Sequence, residues 1–315
     1  MALTPIASDP YFQKRWLRLW LPSESAALHL QMNSLRSANG FRSHTEQWAL
    51  YTRRPAAEET ARRFFRATSA SPSFVASERN WSGKIQANEG MIEWNLEVDG
   101  GNAAIDSLIP PVVKRTLGIS GEFSVPSEKI HVSGEVRIDG SKIQIEAAPA
   151  LLGTISGARP WTESFWFGSP GLQNPSGAGG FSLNALIFSE RPWRFFWESQ
   201  IRLFRIQYEG EIYESETLWD YMQARIIPSS TGCEFEFPKG GMIFRGRVQC
   251  RLKDLTGLSS ESTDGTLLHT VACEYADIDV QVYRGQKLEA SFSSKGQAFF
   301  ERYSSEKNPY VVFVS

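Results

Sequence analysis

Cysteine and histidine are scarce in this chain, three and four residues out of 315. The thiols stand far apart, at Cys233, Cys250 and Cys273, which excludes a disulfide-stapled scaffold. No Cys-x-x-Cys, His-x-His or H-E-x-x-H spacing gathers ligands for a zinc ion, so no metal and no cofactor is expected. Net charge is also nearly absent. At −2, with 33 basic and 35 acidic residues, the chain offers no electrostatic case for a nucleic-acid partner. No run approaches the ~20 apolar residues that span a bilayer, so no transmembrane segment is expected. Residues 1–10 lack the basic-then-apolar order of a secretory signal, which points to a cytoplasmic protein with reduced, buried thiols. Nucleophile and phosphate motifs are missing as well. There is no G-x-S-x-G elbow, and the glycine-rich stretch 168–180 holds no lysine and no G-x-G-x-x-G spacing.

What the chain does have is aromatic side chains, 12% of its residues: 20 Phe, 10 Trp and 9 Tyr. Strand patterns dominate. Ile130, Val132, Val136 and Ile138 alternate with polar residues, the period of a half-buried strand. Asp139-Gly140 then marks a hairpin turn, and Ile143 and Ile145 open the returning strand. The same grammar recurs at Tyr208–Tyr213 around Glu209-Gly210, at Met242–Cys250, and at Ile278–Phe292 around Arg284-Gly285. Helical signals are few. Pro55 to Arg66 has proline early, acids next and arginines late, the charge order a helix dipole favours. Ala104 to Leu117 is interrupted by Pro110-Pro111. Many short strands with turns predict an all-β chain of antiparallel barrels or sandwiches with one or two short helices. The loop-like stretch Gly153 to Gly180 suggests a junction near residue 155, giving domains 1–155 and 156–315.

The aromatics concentrate in Trp161-Thr162-Glu163-Ser164-Phe165-Trp166-Phe167 and in Pro192-Trp193-Arg194-Phe195-Phe196-Trp197-Glu198. Such runs either fill a core or wall an apolar pocket, and the pattern fits both. Two carboxylates, Glu163 and Glu198, lie inside them. A carboxyl held against aromatic walls has its charged form disfavoured, which makes these two the candidate catalytic acids. The rings beside them would stabilise a passing cation. Trp161, Trp166 and Trp197 are the first candidates for substrate binding. Trp219-Asp220-Tyr221 repeats the pairing of acid and aromatics, adding Trp219 and Tyr221, with Tyr208 on the neighbouring strand.

Several blocks resemble the tocopherol cyclase family, whose relatives include carotenoid hydratases and, more loosely, fungal decalin-forming Diels–Alderases. They are Ile206-Gln207-Tyr208-Glu209-Gly210-Glu211-Ile212-Tyr213-Glu214 followed by Trp219; Ala272-Cys273, Ile278–Val282 and Ala298-Phe299-Phe300-Glu301; and Gly134-Glu135-Val136 with Gly140, Pro160, Trp161 and Trp166. Phe12 to Trp20 is similar to the family's opening strand. The resemblance covers residues 130–303 most fully. It implies two lipocalin-like β domains, a ligand cleft at or between them, and cofactor-free chemistry on prenylated phenols, polyenes or polyketides. The chain departs from the family before Pro160. Where the cyclases carry an acidic or polar run ending in Trp-Gly, it reads Thr154-Ile155-Ser156-Gly157.

Together these readings favour a cofactor-independent cyclase that forms a ring in a large apolar natural product. Ring closure would be pericyclic, of [4+2] type, or acid-initiated, and the missing carboxylate tilts the balance toward a route driven by shape and dipoles. The alternative is a non-catalytic binder or carrier of an apolar small molecule. Nothing in the pattern sets an oligomeric state.

Overall fold

The computed structural model describes residues 10–37, 43–54, 61–67, 74–88, 90–100, 105–119, 121–126, 129–158, 161, 163–173, 180–190 and 199–313. The first antiparallel sheet contains β1 (Tyr11–Leu21), β2 (Ala26–Arg36), β3 (Ser43–Arg53), β4 (Ala61–Ala67), β5 (Val75–Ala76), β6 (Asn80–Ala87), β7 (Gly90–Asp99), β8 (Ile105–Ser107), β9 (Glu122–Pro126), β10 (Ile130–Ile138) and β11 (Ser141–Gly157). The second contains β12 (Ser164–Gln173), β13 (Gly180–Glu190), β14 (Ser199–Tyr208), β15 (Glu211–Glu214), β16 (Arg225–Ser229), β17 (Gly232–Lys239), β18 (Met242–Gln249), β19 (Thr256–Glu261), β20 (Leu267–Arg284) and β21 (Lys287–Ser304). Two short α-helices, α1 (Pro111–Leu117) and α2 (Leu218–Gln223), complete the described α structure.

One strand order occurs twice. The first sheet runs β4-β3-β2-β1-β11-β10-β7-β6-β5, and the second runs β15-β14-β13-β12-β21-β20-β18-β17-β16. In each, the opening strand pairs with the closing strand, and the sheet ends at two strands that follow each other in the chain. Each is therefore a meander curled into a lipocalin-like barrel with one seam. β4 packs against β6 across the first seam, and α2 touches both β14 and β17 across the second.

The turns follow the sequence signals. Asp139 and Gly140 have φ of 50° and 83°, and Glu209 and Gly210 have φ of 52° and 85°, the left-handed pairs that a two-residue hairpin requires. Pro111 opens α1, where its missing N–H leaves no hydrogen bond unmade, so Pro110-Pro111 starts that helix instead of breaking it. The helix expected over Pro55 to Arg66 is a correction. Residues 55–60 lie outside the described region, and Ala61–Ala67 is strand β4. Phe64 and Phe65 point to opposite faces there and are buried in different clusters, an arrangement a strand provides and a helical turn does not. That burial outweighs the favourable charge order.

Apolar side chains form three large cores. Leu17, Leu19, Phe65, Trp81, Trp94 and Val136 belong to the one that fills the first barrel. Phe167, Phe204, Phe237, Phe244 and Phe292 belong to the one that fills the second, with the free cysteines Cys233, Cys250 and Cys273 buried among them. The third lies between the barrels and joins Trp16, Trp20 and Phe123 to Trp166, Phe188 and Phe299. β1 supplies two of these cores, Leu17 and Leu19 on one face and Trp16 and Trp20 on the other. Each such fully buried side chain contributes about 1.5–3 kcal/mol.

Trp16 reaches its place because Gly153 stands opposite it in the β1–β11 register, and a Cβ there would collide with the indole. Gly153→Ala is expected to destabilise the protein by about 1–3 kcal/mol in urea denaturation, through displacement of that ring. An unchanged midpoint would show that the ring relaxes without cost.

Candidate functional site

Lys14, Trp16, Arg18 and Trp20 alternate along β1 and share the face turned toward the second barrel. Beside them on β2, His29 stands opposite Arg18, and Asn33 stands opposite Lys14. The second barrel answers with Glu274 on β20 and with Glu301 and Tyr303 on β21. Arg18 joins the two halves. Its Nη1 donates to Glu274 Oε2 at 2.8 Å, and its Nη2 lies 2.8 Å from Glu301 Oε2. Lys14 Nζ donates to both oxygens of Glu301, at 3.1 and 3.2 Å, and also contacts the Tyr303 hydroxyl. His29 Nδ1 lies 2.8 Å from Glu274 Oε1. The Arg18 guanidinium stacks over Phe299 at 4.2 Å and Trp166 at 4.8 Å, so the ion pairs sit among aromatic faces.

Lys14, Arg18, His29, Glu274 and Glu301 are all buried. Two cations and two carboxylates balance, which leaves no counter-charge for an imidazolium. Burial, reinforced by Arg18, holds the His29 pKa well below the ordinary histidine value. The ring is therefore neutral, with its Nδ1–H donated to Glu274. Burial pushes the Glu274 carboxyl up, against Arg18 and Lys14. It pushes on Glu301 the same way, but Arg18 and Lys14 outweigh it and that pKa falls below the ordinary carboxylate range. Lys14 is drawn down to about 8 by burial, against the pull of Glu301.

A cleft opens along one side of this cluster. Lys14, Glu301 and Tyr303 are among its polar residues, with Gln31, Asn33, Glu46 and Arg66, and Phe12, Trp48, Phe64, Trp161 and Leu258 are among its apolar ones. Both barrels contribute. Atom-free space between the walls, including the mouth open to solvent, is about 890 Å³. Chemically, the wall can present an ammonium and a phenol to an oxygen atom while the rings exclude water.

The sequence candidates fall in different places. Trp161 lines the cleft, stacked on Phe188 at 4.2 Å. Trp166 lies in the inter-barrel core, 4.5 Å from Trp16 and 4.4 Å from Phe299. Glu163 is beside Ser164 of the wall and accepts from Ser304 Oγ at 2.9 Å and from the Ser305 N–H at 3.4 Å. Tyr208 is inside the second barrel, 6.1 Å from both Phe244 and Phe292. Tyr221 is buried on α2 in the inter-barrel core, and Trp219 on the same helix is 61% exposed. Asp220 closes that helix's capping box with Thr217. Trp197 and Glu198 lie outside the described residues. The five-membered ionic cluster was not among the candidates. Its signal is the run Lys14-Arg15-Trp16-Leu17-Arg18-Leu19-Trp20, in which Lys14 and Arg18 alternate with Trp16 and Trp20 on one face while Arg15, Leu17 and Leu19 line the other. Among the described residues no group of three or more His, Cys, Asp and Glu is placed to hold a metal, and no helix is long and apolar enough to cross a membrane.

Because His29 is buried neutral, the folded protein binds fewer protons than the unfolded chain as pH drops through the ordinary histidine value of 6.5. Its contribution to stability is present above that value and is lost on acidification. Between pH 7 and 5.5 the loss from His29 is expected to be about 1 kcal/mol. Denaturant titrations at the two pH values should show this loss in the wild type and a shallower dependence in His29→Gln. Equal losses in both proteins would remove His29 as its source.

No protein-family model matches the chain, and no curated protein matches it. Solved structures do match. A crystal structure of CghA with Sch210972 superposes with a TM-score of 0.53 at 7% identity, covering 95% of this chain and 90% of that one. A second crystal structure of CghA gives 0.51 at 7% identity with the same coverage. Kievitone hydratase from Nectria haematococca gives 0.48 at 13% identity, over 95% of this chain and 90% of its own. The likeness to CghA is one of fold, an all-β chain of lipocalin-like barrels.

Proposed function

We propose that this chain is a cofactor-independent cyclase that closes a ring in a large apolar substrate bound in the cleft between its barrels. The observation that carries the proposal is Lys14 Nζ at the cleft wall, buried, held by Glu301 and in contact with Tyr303, opposite aromatic side chains from both barrels. With its pKa drawn down to about 8, Lys14 is still an ammonium at neutral pH but gives up charge to an acceptor more readily than an exposed lysine. An ammonium of this acidity is far too weak to protonate an alkene. It is well suited to polarising a carbonyl oxygen, which speeds a [4+2] closure by drawing electrons from the conjugated alkene. The aromatic walls contribute by holding an extended polyene in the folded, reactive conformer.

This favours the pericyclic route over the acid-initiated one. Glu163 acts as an acceptor from Ser304 and Ser305, and the carboxylates on the cluster are engaged by cations. The kinship with tocopherol cyclases and the division into domains 1–155 and 156–315, one per barrel, belong to the same proposal.

The test is turnover of a linear polyene that carries a diene, a conjugated carbonyl and a dienophile, followed by chromatography of the products. The wild type is expected to give a cyclised isomer of unchanged mass. Lys14→Met is expected to lower the rate about 100-fold, the scale for loss of one preorganised donor. Thermal melts establish that the variant is folded. Recovery of the polyene unchanged from a wild type that binds it would make the protein a carrier, and undiminished turnover by folded Lys14→Met would remove Lys14 from the chemistry.

A further inference from the structure

A second polar feature of the cleft is a one-way relay of side chains on the first barrel. Arg66 is ion-paired with Glu46. A carboxylate only accepts, so Asn33 turns its amide nitrogen to Glu46, with Nδ2 3.1 Å from Oε2. Asn33 Oδ1 is then left to accept, and Gln31 Nε2 donates to it at 2.7 Å. Each amide is oriented by the one before it, and the orientation of the whole relay is set by the Glu46 charge. The relay ends on an acceptor. Gln31 is 4% exposed and lines the cleft, and its Oε1 has no hydrogen-bond partner among the described residues. A buried amide oxygen without a partner is costly, and this one is held in place at the wall of the cleft.

We infer that Gln31 is a specificity-determining residue that accepts a hydrogen bond from an O–H or N–H group of the ligand. The inference rests on the cleft being the ligand site and narrows what enters it. Lys14 stands opposite Asn33 in the β1–β2 register, two residues from Gln31 on the same face. Diagonal neighbours of this kind are about 7–8 Å apart at Cα, and both side chains lean into the cleft. The wall therefore presents a cationic donor and, a few ångströms away, a neutral acceptor. The complementary ligand is apolar over most of its length and carries at one end an acceptor oxygen beside a hydroxyl, enol or amide N–H. A pure hydrocarbon chain, or one whose oxygens are all alkylated, leaves Gln31 Oε1 unpaired and binds more weakly.

Farnesol and its methyl ether test this directly. They share the polyene chain and the oxygen that Lys14 can reach, and they differ in the O–H that Gln31 would receive. Isothermal titration at pH 7 is expected to show farnesol binding the wild type about tenfold more tightly than the ether. In Gln31→Met, a swap of similar volume, the ratio is expected to fall to about one through loss of farnesol affinity alone. Trp161→Ala is expected to weaken both probes together. Equal wild-type affinities, or a ratio that survives Gln31→Met, would overturn the role of Gln31 and leave the cleft standing as the site. Failure of both probes to bind, or binding indifferent to Trp161→Ala, would overturn the cleft as the site and this inference with it. Should Gln31→Met fail to fold, Gln31→Leu supplies the same comparison, and equal wild-type affinities overturn the role of Gln31 without any variant.

Discussion

Arg18 is the side chain on which the arrangement of the two barrels turns. It leaves the first barrel on β1 and meets a carboxylate from each of two neighbouring strands of the second, Glu274 and Glu301. A guanidinium removed from water is tolerated only where its partners are fixed and its remaining surface is covered. Here Trp166 and Phe299 cover it. The aromatic packing dries the cluster, and the dry cluster tolerates few other positions of one barrel against the other. Buried ion pairs of this kind add little net stability, because desolvation offsets most of the attraction. Their effect is on register. Sliding β1 by one residue would put Leu17 or Leu19 in the place of Arg18 and leave Glu274 without its arginine.

That register also makes the cleft. Both barrel interiors are filled, the first around Trp81 and Trp94 and the second around Phe237 and Phe244. The cleft described above lies outside these two apolar cores. Space remains where the outer faces of the barrels part, next to Lys14 and Tyr303. The same strand order used twice brings the opening strand of the first barrel against the closing strands of the second. Side chains nearly three hundred positions apart in sequence thereby share one wall, Lys14 and Glu301 being separated by 287.

Much of the fold is legible in the sequence because strands and turns are local. Ile130, Val132, Val136 and Ile138 announce their strand, and Asp139-Gly140 its turn, with no reference to distant residues. The first barrel's β4 is less legible. Arg62, Arg63 and Arg66 imitate the last turn of a helix, whereas their partners in the folded chain are the Lys253 carbonyl, Asp139 and Glu46. The site is the least legible part. Period-two reading assigns one face of a strand to the core and the other to water, but β1 is buried on both. Carboxylates set among aromatics in the sequence are Glu163, which lies beside the cleft, and Asp220, which caps a helix. Lys14, Arg18 and Glu301 become meaningful only when the second barrel closes over the first.

The central claim is that ligand chemistry takes place between the barrels, against the wall formed by Lys14, Glu301 and Tyr303. A crystal structure of the protein with farnesol bound tests it most directly. The polyene is expected between Trp48 and Trp161, with its oxygen near Lys14 Nζ. Farnesol found instead inside the second barrel, beside Tyr208 and Phe244, would contradict it.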